Sequence, residues 1–118
     1  MDTVQDLLSS LTIELKRGTL VLLVLSQLHT EEYGYSLVRK LDEKQLPIEP
    51  GTLYPLLRRL EKQGLLTAEW DTTESRPRKF YLISDKGKEI YPLLKHEWRK
   101  TSQRIEELLK EEETDEPD

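Results

Sequence analysis

The stretch PGTLYPLLRRLEKQG, residues 50–64, decides the fold of this 118-residue chain. Its leucines recur with the spacing of one apolar helix face, and they are Leu53, Leu56, Leu57 and Leu60. We expect the helix to start around Thr52, because Pro55 is then tolerated in the first turn. Gly64 has the position and type of a residue just past a helix end. The pattern predicts a helix that packs one face on a core.

The opposite face of this helix is basic. With the leucines facing inward, the outward side presents Gly51, Tyr54, Pro55, Arg58 and Lys62, with Thr52 at the start and Arg59 at the flank. Arginine makes bidentate contacts to guanine or neutralises phosphates, and a tyrosine hydroxyl can donate to a phosphate. Such a face suits a recognition helix in the DNA major groove. Exposed helix faces are also charged for solubility alone, so this face leaves both interpretations open.

Three helices are predicted before this one. The first covers residues 3–15, with Asp2 or Thr3 as its cap and apolar residues at helical spacing, namely Val4, Leu7, Leu8, Leu11 and Leu15. Residues 19–28 are apolar nearly all round and predict a buried helix. Residues 31–34 resemble a connection, and a third helix follows, with Leu37, Val38 and Leu41 on one face. Residues 47–51 contain two prolines and predict a turn.

The periodicity changes after Gly64. Residues 66–70 and 79–83 alternate and are rich in strand formers, which predicts a β-hairpin whose polar tip spans residues 71–78. Ser84 and Asp85 suit the start of a final helix that continues to about residue 112. The order is typical of a winged helix. The predicted fold is mainly α with a small β-hairpin: a winged helix-turn-helix at residues 1–84 and a long C-terminal helix at 85–112.

The predicted wing is basic, since Arg76, Arg78 and Lys79 fall within four residues and Pro77 stiffens them. A wing of this kind can lie along a phosphate backbone or place an arginine in a minor groove. A basic helix followed by a basic wing predicts that double-stranded DNA is the partner.

The last helix carries a heptad seam, formed by Leu94, Trp98, Thr101, Ile105 and Leu108. One small domain cannot cover a helix of this length, so we expect a homodimer, with Leu8 and Leu11 of the first helix completing the interface. The alternative is that both helices fold back on their own domain. A twofold dimer would present two recognition helices to a pseudopalindromic site about 34–36 Å apart.

The composition limits the other function classes. The chain has no cysteine, and its two histidines, His29 and His96, have no second ligand at metal-binding spacing, so neither a metal nor a cofactor is expected. We find no cysteine nucleophile, no phosphate-binding glycine loop and no convincing histidine–carboxylate pair, which argues against an enzyme. The longest apolar run, residues 20–25, is too short to span a bilayer. A cytoplasmic protein without a membrane partner is therefore expected.

The net charge of −5 arises at the C-terminus. Residues 106–118 contain eight acidic residues and one lysine, whereas the other 105 residues carry 17 basic against 15 acidic residues. The body of the chain is thus mildly basic, and the acidic net charge does not argue against a nucleic-acid partner. Residues 113–118 are expected to be a solvated, disordered acidic tail.

Several motifs together resemble the PadR family of transcriptional regulators. They are ELKRGTL (14–20), YGYSL (33–37), PGTLYPLLRRLE (50–61), GLL (64–66) and RPRKFYLISDKG (76–87), in order and correctly spaced. The resemblance implies a winged-helix repressor that dimerises through its C-terminal helix, as in short-form members. Glu49 and Ser75 depart from the pattern, which commonly has a small residue and a glycine there.

The resemblance also implies site residues. DNA would be contacted by Tyr54, Arg58 and their neighbours and by the basic wing, with Lys16 and Arg17 near flanking phosphates. A small aromatic effector is expected, and Trp98 would line its pocket between protomers; alternatively, Trp98 only fills the dimer core. Trp70 is expected to pack within the hairpin. The competing function is a winged-helix adaptor that binds proteins and not DNA.

Overall fold

The computed structural model describes residues 3–114. Asp2, proposed above as a cap, and residues 115–118 of the acidic tail lie outside the described residues. The elements are α1 (Val4–Arg17), α2 (Leu20–Ser26), β1 (Glu32–Tyr33), α3 (Gly34–Glu43), α4 (Pro50–Lys62), β2 (Leu66–Asp71), β3 (Arg78–Ile83) and α5 (Asp85–Thr114). The predicted fold class is confirmed: a winged helix-turn-helix is followed by a long C-terminal helix.

The core lies where α2, α3, α4 and the sheet meet. All four leucines of the predicted α4 stripe are buried in it. From α2 and α3, Val24, Leu25, Leu37 and Leu41 complete the same cluster. The prediction for residues 19–28 was partly wrong, because α2 ends at Ser26 and its Leu20, Val21 and Leu23 are only partly buried.

The wing contains a third strand that the sequence did not indicate. β1 pairs with β3 through Glu32–Tyr81 and Tyr33–Phe80, and β3 pairs with β2 along its length, so the strand order is β1-β3-β2. Residues 31–34 were predicted as a connection, and this was wrong. Two residues are too few to show an alternating pattern in the sequence. They form a strand because they pair with β3.

Helix α4 begins two residues earlier than predicted, at Pro50. Proline fits the first helical position, because its missing N–H would have no partner there and its ring fixes a helical φ. The predicted turn at residues 47–51 is therefore shorter, and the extended Glu49 precedes the helix. Gly64 follows the helix with a φ of 82°, as its predicted role requires.

The predicted caps are also present at α1 and α5. Thr3 and Asp6 form a reciprocal capping box at the start of α1. At α5, the Ser84 hydroxyl accepts a hydrogen bond from the Gly87 backbone N–H at 3.0 Å. The helix continues to Thr114, two residues past the predicted end.

Helix α1 and the distal half of α5 lie outside the core. No residue of α1 is buried, although its sequence is strongly amphipathic, and Leu11 is 59% exposed. On α5, Ile105, Leu108 and Leu109 are likewise exposed. The fold-back alternative is wrong for these segments, because their apolar stripes contact no core of the same chain.

Candidate nucleic-acid interface

The outward face of α4 carries the basic residues predicted for it. Arg58, Arg59 and Lys62 are exposed, and so are Thr52 and Pro55, because the buried leucines fix the rotation of the helix. Tyr54 is only partly buried and packs on the core. Its ring lies so close to Gly34 that a Cβ added there would overlap it. The Tyr54 ring is therefore held against the beginning of α3, and the predicted contact of its hydroxyl with a phosphate would be made from this position.

Arg78 is the first residue of β3 and lies directly after the hairpin turn, opposite Asp71 of β2. Its guanidinium forms an ion pair with Glu74 and donates a hydrogen bond to the Tyr35 hydroxyl at 2.9 Å. It also lies 5.7 Å and 5.6 Å from the ring centres of Tyr33 and Tyr35, which stack on each other. Arg78 thus belongs to β3 and not to the polar tip predicted for residues 71–78, and its contact with DNA stays a prediction. Arg76 is exposed within the hairpin turn.

Lys79 joins the wing to the recognition helix. Its ammonium group forms an ion pair with Glu61 of α4 at 2.8 Å and lies 5.8 Å from the Trp70 ring centre and 5.5 Å from that of Tyr81. The hydrogen bond from Lys79 to Glu61 raises the pKa of the ammonium group. Trp70 contacts Lys79 of the paired strand, as the predicted packing within the hairpin requires, and it remains 62% exposed.

A hydrogen bond from Tyr33 to Asp71 ties β1 to the end of β2. Asp71 also accepts hydrogen bonds from the hydroxyl and the backbone N–H of Thr73, at 2.6 Å and 3.1 Å. The Thr73 and Tyr33 hydrogen bonds lower the pKa of Asp71 from 3.8 to about 2. The same bond to Asp71 raises the pKa of Tyr33. The carboxylate thus joins β1 to the start of the hairpin turn.

The end of α1 lies beside the recognition helix. Arg17 lines a shallow cavity of about 270 Å³ together with Thr52, Pro55 and Arg59 of α4. Lys16 is exposed on the same turn. These two residues, expected near flanking phosphates, are therefore close to the basic face of α4.

Trp98 lines a separate apolar cavity of about 420 Å³ between α2 and α5. Its other walls include Leu22, Leu23 and Tyr91, with Lys95 and Arg99 at the α5 side. Leu94 packs partly on the core of its own chain, whereas Trp98 is 46% exposed. Of the predicted seam, Thr101, Ile105 and Leu108 are exposed. The cavity therefore lies next to the seam, and Trp98 belongs to both.

Two classes of site are not found in residues 3–114. No group of three or more histidine, cysteine, aspartate or glutamate side chains in this range is arranged to hold a metal ion. Within the same residues, no helix is both long and apolar enough to cross a membrane.

Comparison with known proteins identifies a family. Residues 21–93 match the model of the transcriptional regulator PadR-like family. The chain is similar to the crystal structure of a PadR family transcriptional regulator from Eggerthella lenta DSM 2243, with 48% sequence identity and a TM-score of 0.85. The match covers 89% of this chain and 94% of that chain.

More distant relatives give the same result. A PadR-like transcriptional regulator from Bacillus cereus strain ATCC 14579 has 31% identity and a TM-score of 0.70, with 81% of this chain and 96% of that chain covered. Transcriptional regulator Rv3488 of Mycobacterium tuberculosis is 38% identical over 58 residues, or 49% of this chain and 54% of that protein. The chain thus matches about half the length of this curated relative.

Neutralising Asp71 is expected to remove part of the acid sensitivity of folding. Because its pKa in the folded chain lies below 3.8, the carboxylate stabilises the fold above that pH, and this stabilisation is lost as the pH falls toward about 2. We expect Asp71→Asn to lower the free energy of unfolding near neutral pH. The difference from the wild type should shrink across the acid range, as urea unfolding at several pH values would measure.

Asp42→Asn is the matched control, since Asp42 is an exposed carboxylate on α3. Its unfolding free energy should follow the wild-type curve. If Asp71→Asn also follows that curve at every pH, the carboxylate does not hold the wing.

Proposed function

This chain belongs to the PadR-like family of transcriptional regulators, and we propose that it represses transcription by binding double-stranded DNA as a homodimer. Family membership confirms that the chain is a regulator with a winged-helix DNA-binding fold, and not an enzyme. The observation that carries the proposal is the exposed basic face of α4, opposite four buried leucines. Such a face can enter a major groove without disturbing the core.

The surrounding cations support the same DNA-binding surface. Arg17 lies beside Arg59 next to α4, and Arg76 is exposed in the wing. Phosphate contacts from such residues fix the orientation of a protein on the duplex, while arginines on the recognition helix read base edges. We assign Arg58 to base reading, and we assign the other cations of this surface to the backbone, namely Arg17, Arg59, Lys62, Arg76, Arg78 and Lys79. The remaining residues predicted to contact DNA surround these cations, and they are Lys16, Thr52, Tyr54 and Pro55.

The homodimer is supported by the unpartnered apolar stripes of α1 and α5. Leu8 and Leu11 are more than half exposed, as are Ile105 and Leu108 on the distal half of α5. Apolar residues at helical spacing on two exposed helices suit burial against a second copy. A twofold axis along α5 would present two recognition helices to a pseudopalindromic operator.

We further propose that a planar aromatic molecule acts as the effector and binds beside Trp98. A cavity of about 420 Å³ is within the size range of small-molecule sites, and its walls are mainly apolar. Lys95 and Arg99 add positive charge, which favours an anionic group on the ligand. Because Trp98 also lies on the proposed dimer seam, a ligand there would contact the interface and change the spacing of the two recognition helices.

The competing proposal is that the chain is an adaptor that binds proteins and not DNA. The surface formed by α4 and the wing discriminates between the two functions. A protein-binding groove is expected to be apolar, whereas α4 and the wing present several cations to solvent. The acidic C-terminal segment is the feature that favours an adaptor. If the protein bound no DNA duplex but did bind a protein partner, that result would favour the adaptor function.

Replacing Arg58 with alanine should lower affinity for the native upstream DNA by ~1–3 kcal/mol and relax sequence preference. Replacing Arg78 should instead weaken binding to all duplexes and reduce the dependence of log K on log salt by about 1. Fluorescence anisotropy with the upstream intergenic duplex and a scrambled duplex, each at two salt concentrations, measures both effects.

Lys110→Ala removes the same charge from the distal part of α5 and is the control. It should bind like the wild type. Equal binding of wild type, Arg58→Ala and Arg78→Ala to both duplexes would contradict the assignment of these residues.

Trp98 fluorescence should report the effector cavity. In a Trp70→Phe variant, Trp98 is the remaining tryptophan, and we expect 2-naphthoate, a planar aromatic anion, to quench its emission in a saturable manner. A Trp98→Ala variant should lose naphthoate binding in calorimetry. Unchanged binding by Trp98→Ala would show that the ligand does not occupy this cavity.

A further inference from the structure

Glu49 lies at the start of the recognition helix and has no role in the site described above. It directly precedes Pro50, the first residue of α4, and its backbone is extended, with a φ of −61° and a ψ of 136°. The residue is exposed. A carboxylate at this point is unexpected on a surface that binds a polyanion, because it repels each phosphate that comes near it.

Helix capping does not account for the Glu49 carboxylate. A capping side chain stabilises a helix by accepting hydrogen bonds from the first N–H groups of that helix. The Glu49 side chain makes no such bond. Its backbone carbonyl accepts from the N–H groups of Thr52 and Leu53 instead, both at 2.9 Å. The start of α4 therefore does not hold the carboxylate in place.

No cation holds the Glu49 carboxylate either. Within residues 3–114 its side chain forms neither an ion pair nor a hydrogen bond. Arg58 and Arg59 of the same helix lie roughly 13–15 Å further along the axis, at a rise of 1.5 Å per residue. A Cβ built on Gly51 would meet no atom within 4 Å, so the space beside the helix start is open. The carboxylate is thus available to a partner outside the chain.

We propose that Glu49 determines sequence specificity by accepting a hydrogen bond from the N4 amino group of a cytosine in the major groove. This rests on the proposed function, in which α4 enters that groove. The N-terminal residues of a recognition helix are those that contact base edges. Cytosine presents an N4 donor in the major groove, and a carboxylate accepts hydrogen bonds without donating any. The base and the side chain are therefore complementary.

The same carboxylate discriminates against the other bases. Guanine presents the acceptors N7 and O6, and thymine presents O4 and a methyl group, so neither offers a donor to Glu49. Adenine has an N6 donor, but its N7 acceptor lies beside that donor and faces a group without a proton. A carboxylate that loses water in the groove without gaining a donor is destabilised, so each wrong base lowers the affinity.

The proposed homodimer doubles this contact. Its two copies of Glu49 would read one C·G pair in each half-site of a pseudopalindromic operator. Arg58, assigned above to base reading, lies nine residues further along α4 and therefore contacts other positions. The two side chains thus contribute separately to specificity, and loss of one leaves the preference set by the other.

Selection of duplexes from a random pool, followed by anisotropy titration of the selected duplex and its single-base variants, tests the proposal with the full chain. Wild-type protein should select cytosine at one position of each half-site. Changing that pair to T·A in one half-site should weaken its binding by roughly 5- to 100-fold. Glu49→Ala should bind the original and the changed duplex equally, because it lacks the group that distinguishes them.

Glu49→Gln should change the preferred base at the same position. A glutamine amide forms two hydrogen bonds with N6 and N7 of adenine, so this variant should prefer adenine to cytosine there. The preference at all other positions should stay as in the wild type. A new preference requires a folded protein that binds DNA, so a loss of stability cannot produce this result.

Glu43→Ala is the matched control, because it removes an exposed carboxylate from the end of α3, outside the recognition helix. It should keep the wild-type preference for cytosine. If Glu49→Ala instead bound every duplex more tightly by one common factor, the carboxylate would act only by repelling phosphates, and the reading of a base would be overturned.

The outcomes separate this proposal from the function on which it rests. Wild-type protein that selects no sequence and binds no duplex would contradict both. Wild-type protein that selects an operator, with Glu49→Ala showing the same base preference at every position, would overturn the role of Glu49 alone. A preference that depends on Glu49 but is for a base other than cytosine would also overturn it.

Discussion

Burial of the α4 leucines is the constraint on which the rest of the structure depends. Leu53 and Leu57 are fully buried, and Leu60 is 1% exposed. Full burial of one leucine side chain contributes roughly 1.5–3 kcal/mol, so rotating the helix away from this arrangement would cost several times that amount. The helix therefore has one permitted orientation, and Arg58, Arg59 and Lys62 must face outward. The basic surface is a consequence of the core.

The segment Tyr33-Gly34-Tyr35 connects this helix to the wing. Gly34 gives the Tyr54 ring its space, while Tyr33 bonds to Asp71 and Tyr35 accepts a hydrogen bond from Arg78. Lys79 and Glu61 add a second connection between the wing and α4. Recognition helix and wing are thus held at a fixed distance by polar and aromatic contacts, which a protein needs if both elements are to reach one duplex.

Local patterns were sufficient to predict the helices, the hairpin and the basic face of α4, because leucine spacing and glycine and proline positions act within a few residues. They could not predict that Arg78 and Lys79 are engaged. Arg78 has one partner close in sequence, Glu74, but the hydrogen-bond partners Asp71 of Tyr33, Glu61 of Lys79 and Tyr35 of Arg78 lie 38, 18 and 43 residues away. Only the assembled fold brings these pairs together. Strand β1 was missed because two residues carry no periodicity. The YGY motif was visible in the sequence, but its structural role was not.

The exposed apolar stripes of α1 and α5 connect the fold to the proposed function. A single chain leaves these stripes in water and has one recognition helix, whereas a dimer would cover the stripes and present two recognition helices. Sedimentation velocity of the protein, alone and with the upstream duplex, tests this most directly. The expected result is a particle of twice the chain mass of 13.9 kDa, which binds one duplex as a unit and sediments with two chains per DNA. A stable monomer that binds the duplex as a single chain, or does not bind it, would contradict a dimeric DNA-binding regulator.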